Sequence, residues 1–386
     1  MTAALGKLKI VDFSRVLAGP FATMLLGDLG AEVIKIERPG SGDDTRNWGP
    51  PFDARGHATY FESINRNKQS RAIDLATPAG LEQARALSAE ADVIVENFRP
   101  GLMDGLGLGY ESLRQDNPGL VYCSITGFGP DAPQLPGYDL LVQALGGLMS
   151  ITGPADGPPQ KVGVALVDVL AGLFATVGIL TALLHRGAGG EGQRVEVDLL
   201  TSLLAGLVNQ AAAYTAGGVV PTRMGNQHPS VAPYELLRCA DGELVIAVGN
   251  DRQFAALCAA VGAPGLAQDP RFATNSVRLA NRIALVEALE AGLSRQSAAD
   301  WASALTQARI PAGQVNDIGA AFQLAESLGL EPIVRISDAD GAEVALTRNP
   351  IRLSATPATY RLAPPRLPGA VAISGQNHRN SPLSLP

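Results

Sequence analysis

The 386-residue sequence is poor in the side chains that most often carry metal and proton chemistry. It has three cysteines, Cys123, Cys239 and Cys258, and four histidines, His57, His185, His228 and His378. The cysteines are widely separated and odd in number, with no CxxC, which excludes a disulfide framework and predicts free thiols in a reducing compartment. No two histidines stand at metal-pair spacing and HExxH is absent, so no metal is expected. Charged residues make up only 17%, and the net charge of 30 − 37 = −7 leaves no general basis for binding nucleic acid or an anionic membrane. A GxGxxG turn is missing, and with it the usual dinucleotide fingerprint. The opening MTAALGKLKIVDFS enters an apolar strand pattern without a signal-like stretch, so a cytoplasmic protein is expected.

What is abundant is apolar: 46% of residues are hydrophobic, ample for more than one core in a chain of this length. The first half alternates short β-rich runs with helical patterns, the mark of an α/β fold. Strands are predicted at 8–13, 31–37, 72–75, 92–96 and 120–125, with another at 194–197. Helices are predicted at 19–29, opened by Pro20, and from Pro78 to about 89, capped by Thr77. Residues 217–233 are rich in Gly, Pro and polar side chains and read as a linker. Beyond them Asp241-Gly242 and Asp340-Gly341 mark two hairpins, with helices at 251–261, 275–293, 297–308 and 318–328 between. The expected organisation is a large domain at 1–216, the linker at 217–233, a small α+β domain at 234–330, and a segment at 331–386 that returns to the large domain.

Residues 162–184 form an apolar run whose one charge is Asp168. The run is long enough to span a bilayer, but Gly163, Gly172 and Gly178 punctuate it and no second such run exists, so a buried helix is expected rather than a membrane segment. A carboxylate among apolar neighbours is costly unless compensated. Two readings of Asp168 are compatible: a cap satisfying helix amides, and a reactive group.

Three turns at predicted strand ends carry further chemistry. Arg15-Val16-Leu17-Ala18-Gly19-Pro20 fills the first strand-to-helix turn, where open α/β sheets place ligands. Ile36-Glu37-Arg38-Pro39-Gly40 and Glu96-Asn97-Phe98-Arg99-Pro100-Gly101 each fix an arginine beside a proline. A guanidinium fork there suits phosphate, and Phe98 suits an adenine ring. Rigid surface turns with solvated arginines are the alternative. Asn65-Arg66-Asn67-Lys68 and Arg71 add basic groups that could equally be a solvated loop.

Taken together the motifs resemble the family III CoA-transferases. The resemblance runs over residues 5–365. It rests on the run from Leu17 through GPFATMLLGDLGAEVIKIERPG, on NRNK from Asn65, DVIVENFRPG from Asp92, GYDLLVQALGGLMSITG from Gly137 and GPPQKVGVALVDVLAGLFA from Gly157. It continues through LLHR from Leu183, APYELLRCADG and NDRQF. It implies a Rossmann-like large domain, a smaller α+β domain and an interlocked homodimer. Asp168 matches the family's nucleophilic aspartate. Val16, Leu17, Arg38, Leu75, Ala76, Asn97, Phe98, Arg99 and Tyr138 match positions lining the coenzyme A site, and Asp139 one beside the reacting thioester.

The implied reaction moves CoA from an acyl-CoA, succinyl-CoA or another dicarboxylyl-CoA, to a carboxylic acid. It passes through an aspartyl mixed anhydride and an aspartyl-CoA thioester, with acyl-CoA as cosubstrate and no tightly bound cofactor. Leu17 stands where formyl-CoA transferase has glutamine, which favours an acid larger than formate or oxalate. Arg46 is a candidate for holding a distal carboxylate. Two alternatives stay open. One is a relative of α-methylacyl-CoA racemase, whose acid–base pair is replaced here by Tyr138 and Asn250. The other is a CoA-binding subunit without activity of its own.

Overall fold

The computed structural model describes residues 3–369. His378 and the tail expected to pack on the large domain beyond residue 369 lie outside the described residues. Two compact units divide the chain. The first holds the residues up to Leu148, Val162–Val219 and the return segment from Glu331. The second holds Met149–Lys161 and Val220–Leu330. The expected division therefore needs one correction: the chain already enters the second unit at 149–161. That stretch is rich in glycine and proline and has no periodicity to assign it from sequence.

In the first unit, β1 (Lys9–Asp12), β2 (Glu32–Glu37), β3 (Lys68–Ala72), β4 (Val93–Glu96), β5 (Val121–Thr126) and β6 (Arg194–Asp198) form one sheet. Their order is β3-β2-β1-β4-β5-β6, and every pairing is parallel. This doubly wound order reverses direction between β1 and β4, the place where such sheets bind ligands. Strands buried on both faces read as unbroken apolar runs, which is why IVDF, EVIKI and DVIVE were legible. The third strand lies upstream of its expected place at 72–75. Its alternating KQSRA pattern, with Lys68 buried and Arg71 exposed, does not look like a central strand because β3 is an edge.

Helices α1 (Ala18–Asp28), α2 (Thr59–Ile64) and α3 (Pro78–Ala89) precede the single turns α4 (Leu102–Gly105) and α5 (Tyr110–Leu113). Then come α6 (Asp139–Leu145), α7 (Leu148–Ile151), α8 (Leu166–Gly187), α9 (Leu199–Gly206) and α10 (Val208–Thr215). Val11, Phe13, Ile36, Ile94 and Tyr122 are buried together with Leu108 and Leu113 in one core cluster. Helix α8 buries Val167, Ala171, Gly172, Ala175 and Ile179. Gly172 lets α1 pack close: a β-carbon there would lie 2.7 Å from the Ala18 carbonyl oxygen. Among the described residues α8 is the one helix long and apolar enough to cross a membrane, and its Leu173, Phe174, Val177 and Leu184 are exposed.

In the second unit, β7 (Tyr234–Arg238), β8 (Glu243–Ala247) and the short β9 (Ala312–Gly313) make an antiparallel sheet. Helices α11 (Asp251–Ala260), α12 (Asn275–Ala280), α13 (Arg282–Leu293), α14 (Ala298–Gln307) and α15 (Ile318–Ser327) accompany it. The helix expected over 275–293 breaks at Asn281, whose side chain bonds the carbonyls of Arg271 and Val277. Leu237, Leu244, Ile246, Phe254, Leu285 and Trp301 form this unit's core.

The return segment pairs β10 (Ile333–Ser337) with β11 (Glu343–Thr347) and then runs extended along the first unit. Asp28 anchors it. This fully buried carboxylate takes both forks of Arg66 at 2.9 and 2.6 Å, Asn67 at 2.8 Å and Asn349 at 3.2 Å. Arg66 is thus a buried partner and not the solvated basic group that the sequence allowed. Asp28→Ala would strand that guanidinium, so a loss of about 3–5 kcal/mol in urea unfolding is expected. Asp28→Ala/Arg66→Met should lose clearly less.

Candidate active site

The carboxyl ends of the strands gather most of the residues singled out above. The turn after β1 carries Val16 and Leu17, the end of β2 Arg38, the segment after β3 Leu75 and Ala76, and the end of β4 Asn97, Phe98 and Arg99. Asn97 joins two of these turns across the switch point. Its Oδ1 accepts the Arg15 N–H at 2.8 Å, and its Nδ2 donates to the Arg15 carbonyl at 2.7 Å. The Arg15 guanidinium lies over the Phe98 ring, 4.9 Å from its centroid. Burial and then the positive field of Arg38 hold Arg15 below its ordinary pKa. Arg38 and Arg99 are exposed and have no carboxylate partner among the described residues. Arg15, Arg38 and Arg99 therefore make a cationic rim beside one aromatic ring, the chemistry that a phosphorylated adenine ligand needs. From sequence Arg15 was marked only as the first residue of its turn, with no role of its own.

A second cluster forms where β5 leads into α6. Gly127 and Gly137 cross so closely that a β-carbon on Gly127 would sit 2.5 Å from the Gly137 Cα, which brings Tyr138-Asp139 back to the strand end. The Asp139 Oδ1 accepts the N–H of Val167 at 2.8 Å and that of Asp168 at 3.3 Å. Gln143 braces the other oxygen at 2.6 Å while its Oε1 accepts the Val162 N–H at 2.9 Å. Asp139 therefore caps α8 from outside. The Asp168 side chain does not serve as the cap, and it has no hydrogen-bond partner among the described residues.

Asp168 is 8% exposed, at the third residue of α8. A helix N-terminus favours a carboxylate by about 0.3–1 kcal/mol. Burial first, and then the Asp139 charge, overcome that and push Asp168 up to about 7. Tyr60 of α2 feels the same site: its own burial and then the charges of Asp168 and Asp139 push its phenol up to about 12, so it stays a neutral hydroxyl. Trp48 packs edge-on against it with centroids 5.2 Å apart. Nothing in the sequence ties Tyr60 to Asp168, since neither periodicity nor a turn links them. Tyr138 is exposed on the same approach.

Arg46 is placed differently from its expected role. Its fork is closed on Glu37 at 2.8 and 2.7 Å, it bonds the Pro365 carbonyl at 2.9 Å, and it stacks on Phe61 at 3.7 Å. Glu37 ends β2 nearly buried and needs a counter-charge, so Arg46 serves the fold and the return segment instead of a substrate carboxylate. Asp53, His57 and Glu62 place donor atoms within 4.8 Å of one another, but Arg55 already pairs with both carboxylates and supplies the cation. In the second unit the Asn250 Oδ1 caps α11 by accepting the Gln253 N–H at 2.9 Å.

A doubly wound sheet with a cationic, aromatic-lined switch point and, among the described residues, a buried carboxylate without a hydrogen-bond partner at a helix start offers a seat for a phosphorylated ligand beside a reactive acid. Residues 5–370 match CoA-transferase family III, and the chain belongs to that family. It is 42% identical to the succinate–glutarate CoA-transferase of Agrobacterium fabrum over 94% of this chain and 92% of that one. It is also 42% identical to the succinyl-CoA:glutarate CoA-transferase of Mus musculus over 93% and 83%. The crystal structure of a CAIB/BAIF family protein from Brucella suis superposes with a TM-score of 0.83 at 43% identity, covering 95% of this chain and 97% of that one.

The raised Asp168 has a stability consequence. The folded state holds its proton up to about pH 7, whereas an unfolded aspartate releases it near 3.8. The stabilisation from the bound proton is complete below about pH 4 and is lost as pH rises through 7. Asp168→Asn is never charged. Relative to the natural chain it should therefore be more stable at pH 8, by on the order of 4 kcal/mol, and nearly equal at pH 4. Thermal unfolding at the two pH values measures this.

Proposed function

We propose that this enzyme transfers CoA from succinyl-CoA, or another dicarboxylyl-CoA, to a second dicarboxylic acid, with Asp168 as the covalent nucleophile. The observation that carries the reading is the freedom of the Asp168 carboxylate. It is buried at a helix start, yet the amides it would normally cap are taken by Asp139. The substrate class follows from the relatives, whose names specify succinate, glutarate and, in Haloarcula hispanica, mesaconate.

An Asp168 oxygen attacks the thioester carbonyl, the C–S bond breaks, and its electron pair leaves as CoA thiolate. The thiolate attacks the aspartyl carbonyl of the resulting mixed anhydride and displaces the donor acid as a carboxylate. The acceptor carboxylate then attacks the aspartyl-CoA thioester, and the released thiolate takes the acceptor's acyl group from the second anhydride. Every nucleophile and leaving group is an anion, so no proton need move and no histidine is required near Asp168. The neutral Tyr60 hydroxyl and backbone N–H groups are suited to the oxyanions formed at each attack. Arg15, Arg38 and Arg99 would take the phosphates of CoA and Phe98 its adenine, with Val16, Leu17, Leu75, Ala76, Asn97 and Tyr138 along the same path.

The exposed apolar row on α8, with Val177 61% and Leu184 75% exposed, supports a homodimer in which a second copy covers that face. Three free cysteines are consistent with a cytoplasmic setting. The racemase alternative needs a proton acceptor and donor flanking the α-carbon, and the Asn250 amide is neither.

Asp168→Ala should lower exchange between succinyl-CoA and glutarate by at least about 10³-fold while still binding CoA. Hydroxylamine added during turnover should mark Asp168 by mass; a label elsewhere would refute the assignment. The acid limb of kcat/KM should fall below about pH 7, and Asp139→Asn, by removing the neighbouring charge, should move it to lower pH.

A further inference from the structure

Beneath the Arg15 turn lies a buried ionic network that the reaction does not use. Asp12, Lys35, Asp43 and Lys68 are all fully or almost fully buried. Asp12, the last residue of β1, takes the Ser14 N–H at 3.0 Å, the Ser14 hydroxyl, the Thr23 hydroxyl at 2.7 Å and the Lys68 ammonium at 3.0 Å. Lys68 places its other two bonds on the Pro20 carbonyl at 2.8 Å and Asn65 at 3.0 Å. Lys35, in the middle of β2, pairs with Asp43 at 2.9 Å and donates to the Ser14 carbonyl at 2.8 Å. The other Asp43 oxygen accepts the N–H and hydroxyl of Thr45 at 3.0 and 2.8 Å and the Val16 N–H at 3.4 Å.

These bonds converge on one short stretch of backbone. The Ser14 N–H is held by Asp12, the Ser14 carbonyl by Lys35, both Arg15 groups by Asn97 and the Val16 N–H by Asp43. Val16 itself sits at φ 66°, a left-handed conformation that a β-branched residue adopts only when its surroundings impose it. The Lys35–Asp43 pair bridges the peptide groups on either side of Arg15. It thereby fixes both the unusual backbone of Val16 and the direction of the Arg15 side chain toward Phe98. An apolar pair could fill the same space but could not hold either peptide group.

We propose that Lys35 and Asp43 are positioning residues for acyl-CoA. Their ion pair pre-forms the Ser14–Leu17 turn so that the thioester substrate meets a rigid edge. The inference rests on the assignment of that turn to the CoA site. It concerns one substrate only, because the second acid has no nucleotide to seat there.

The test is steady-state exchange with both substrates varied. Lys35→Met/Asp43→Leu removes both charges together, leaves no unpaired ion, and should raise the KM for acyl-CoA at least ten-fold while the KM for the acceptor acid stays within two-fold. Asp43→Asn is a gentler second variant that keeps acceptors for Val16 and Thr45 but drops the charge facing Lys35. It should raise the acyl-CoA KM about three-fold and fold normally by circular dichroism. Loss of folded protein alone would lower kcat and leave both KM values unchanged; that result, or an unchanged acyl-CoA KM in folded Asp43→Asn, overturns the proposal. If the natural enzyme itself shows no exchange, the functional reading fails instead, and the two failures are distinguishable.

Discussion

The structure turns on a division of labour between two carboxylates at the start of α8. Four amide donors at a helix N-terminus need acceptors, and the side chain of the N-cap residue is the usual source, which Ala165 cannot supply. Here Asp139, from another helix, accepts from Val167 and Asp168, and Gln143 locks it in place. Had Asp168 done this work, hydrogen bonds would have stabilised its charge, tied up its lone pairs and lowered its pKa. Freed of it, Asp168 stays buried, unbonded and raised to about 7. The Gly127–Gly137 crossing exists to bring Asp139 to that place, and a side chain on either glycine would push it away.

The switch point between β1 and β4 obeys a related logic. Burying Asp12, Lys35, Asp43 and Lys68 under it is expensive, and a well-packed apolar cluster is often as stable as a buried ion pair. Stability is therefore a poor explanation for the network. Orientation is a better one: each charge ends on the backbone or side chain of Ser14, Val16 or α1, and together they hold a turn that torsional preference alone would relax. The apolar core on one side and the cationic rim of Arg15, Arg38 and Arg99 on the other meet at this turn.

Much of this was legible in the sequence, for identifiable reasons. Double-sided burial makes the strands of a parallel sheet read as apolar runs, so β1, β2, β4 and β5 stood out at close to their observed places. The Asp-Gly pairs marked both hairpins, and a lone charge in an apolar run marked Asp168. The same signal was present at Asp12 in IVDF and at Lys35 in VIKI, where a single charge interrupts a buried strand. Strand runs are short, so a lone charge in four residues is less conspicuous than one in twenty-three. Arg66, Lys68 and Arg46 misled for a different reason. Their partners Asp28, Asp12 and Glu37 are distant in the chain or belong to other elements, and periodicity carries no information about which charges meet. Tyr60, on the short helix α2, and Asp43, in a loop, reach the site where pattern gives way to tertiary contact.

Burial that disfavours a charge is awkward for a nucleophile considered alone, since only the ionised carboxylate attacks. On the proposed route the comparison that matters is different. The mixed anhydride and the aspartyl-CoA thioester are neutral at the aspartyl group, so the low-dielectric pocket and the Asp139 charge, which both penalise the free Asp168 anion, leave these intermediates untouched. Raising the free carboxylate in energy narrows the gap between it and the reactive acyl derivatives it must form. A solvated aspartate with a low pKa would be fully ionised but would sit far below its own anhydride. The same surroundings that bring Asp168 to about 7 thus shift the balance toward covalent intermediates, and a carboxylate that caps nothing is free to become one.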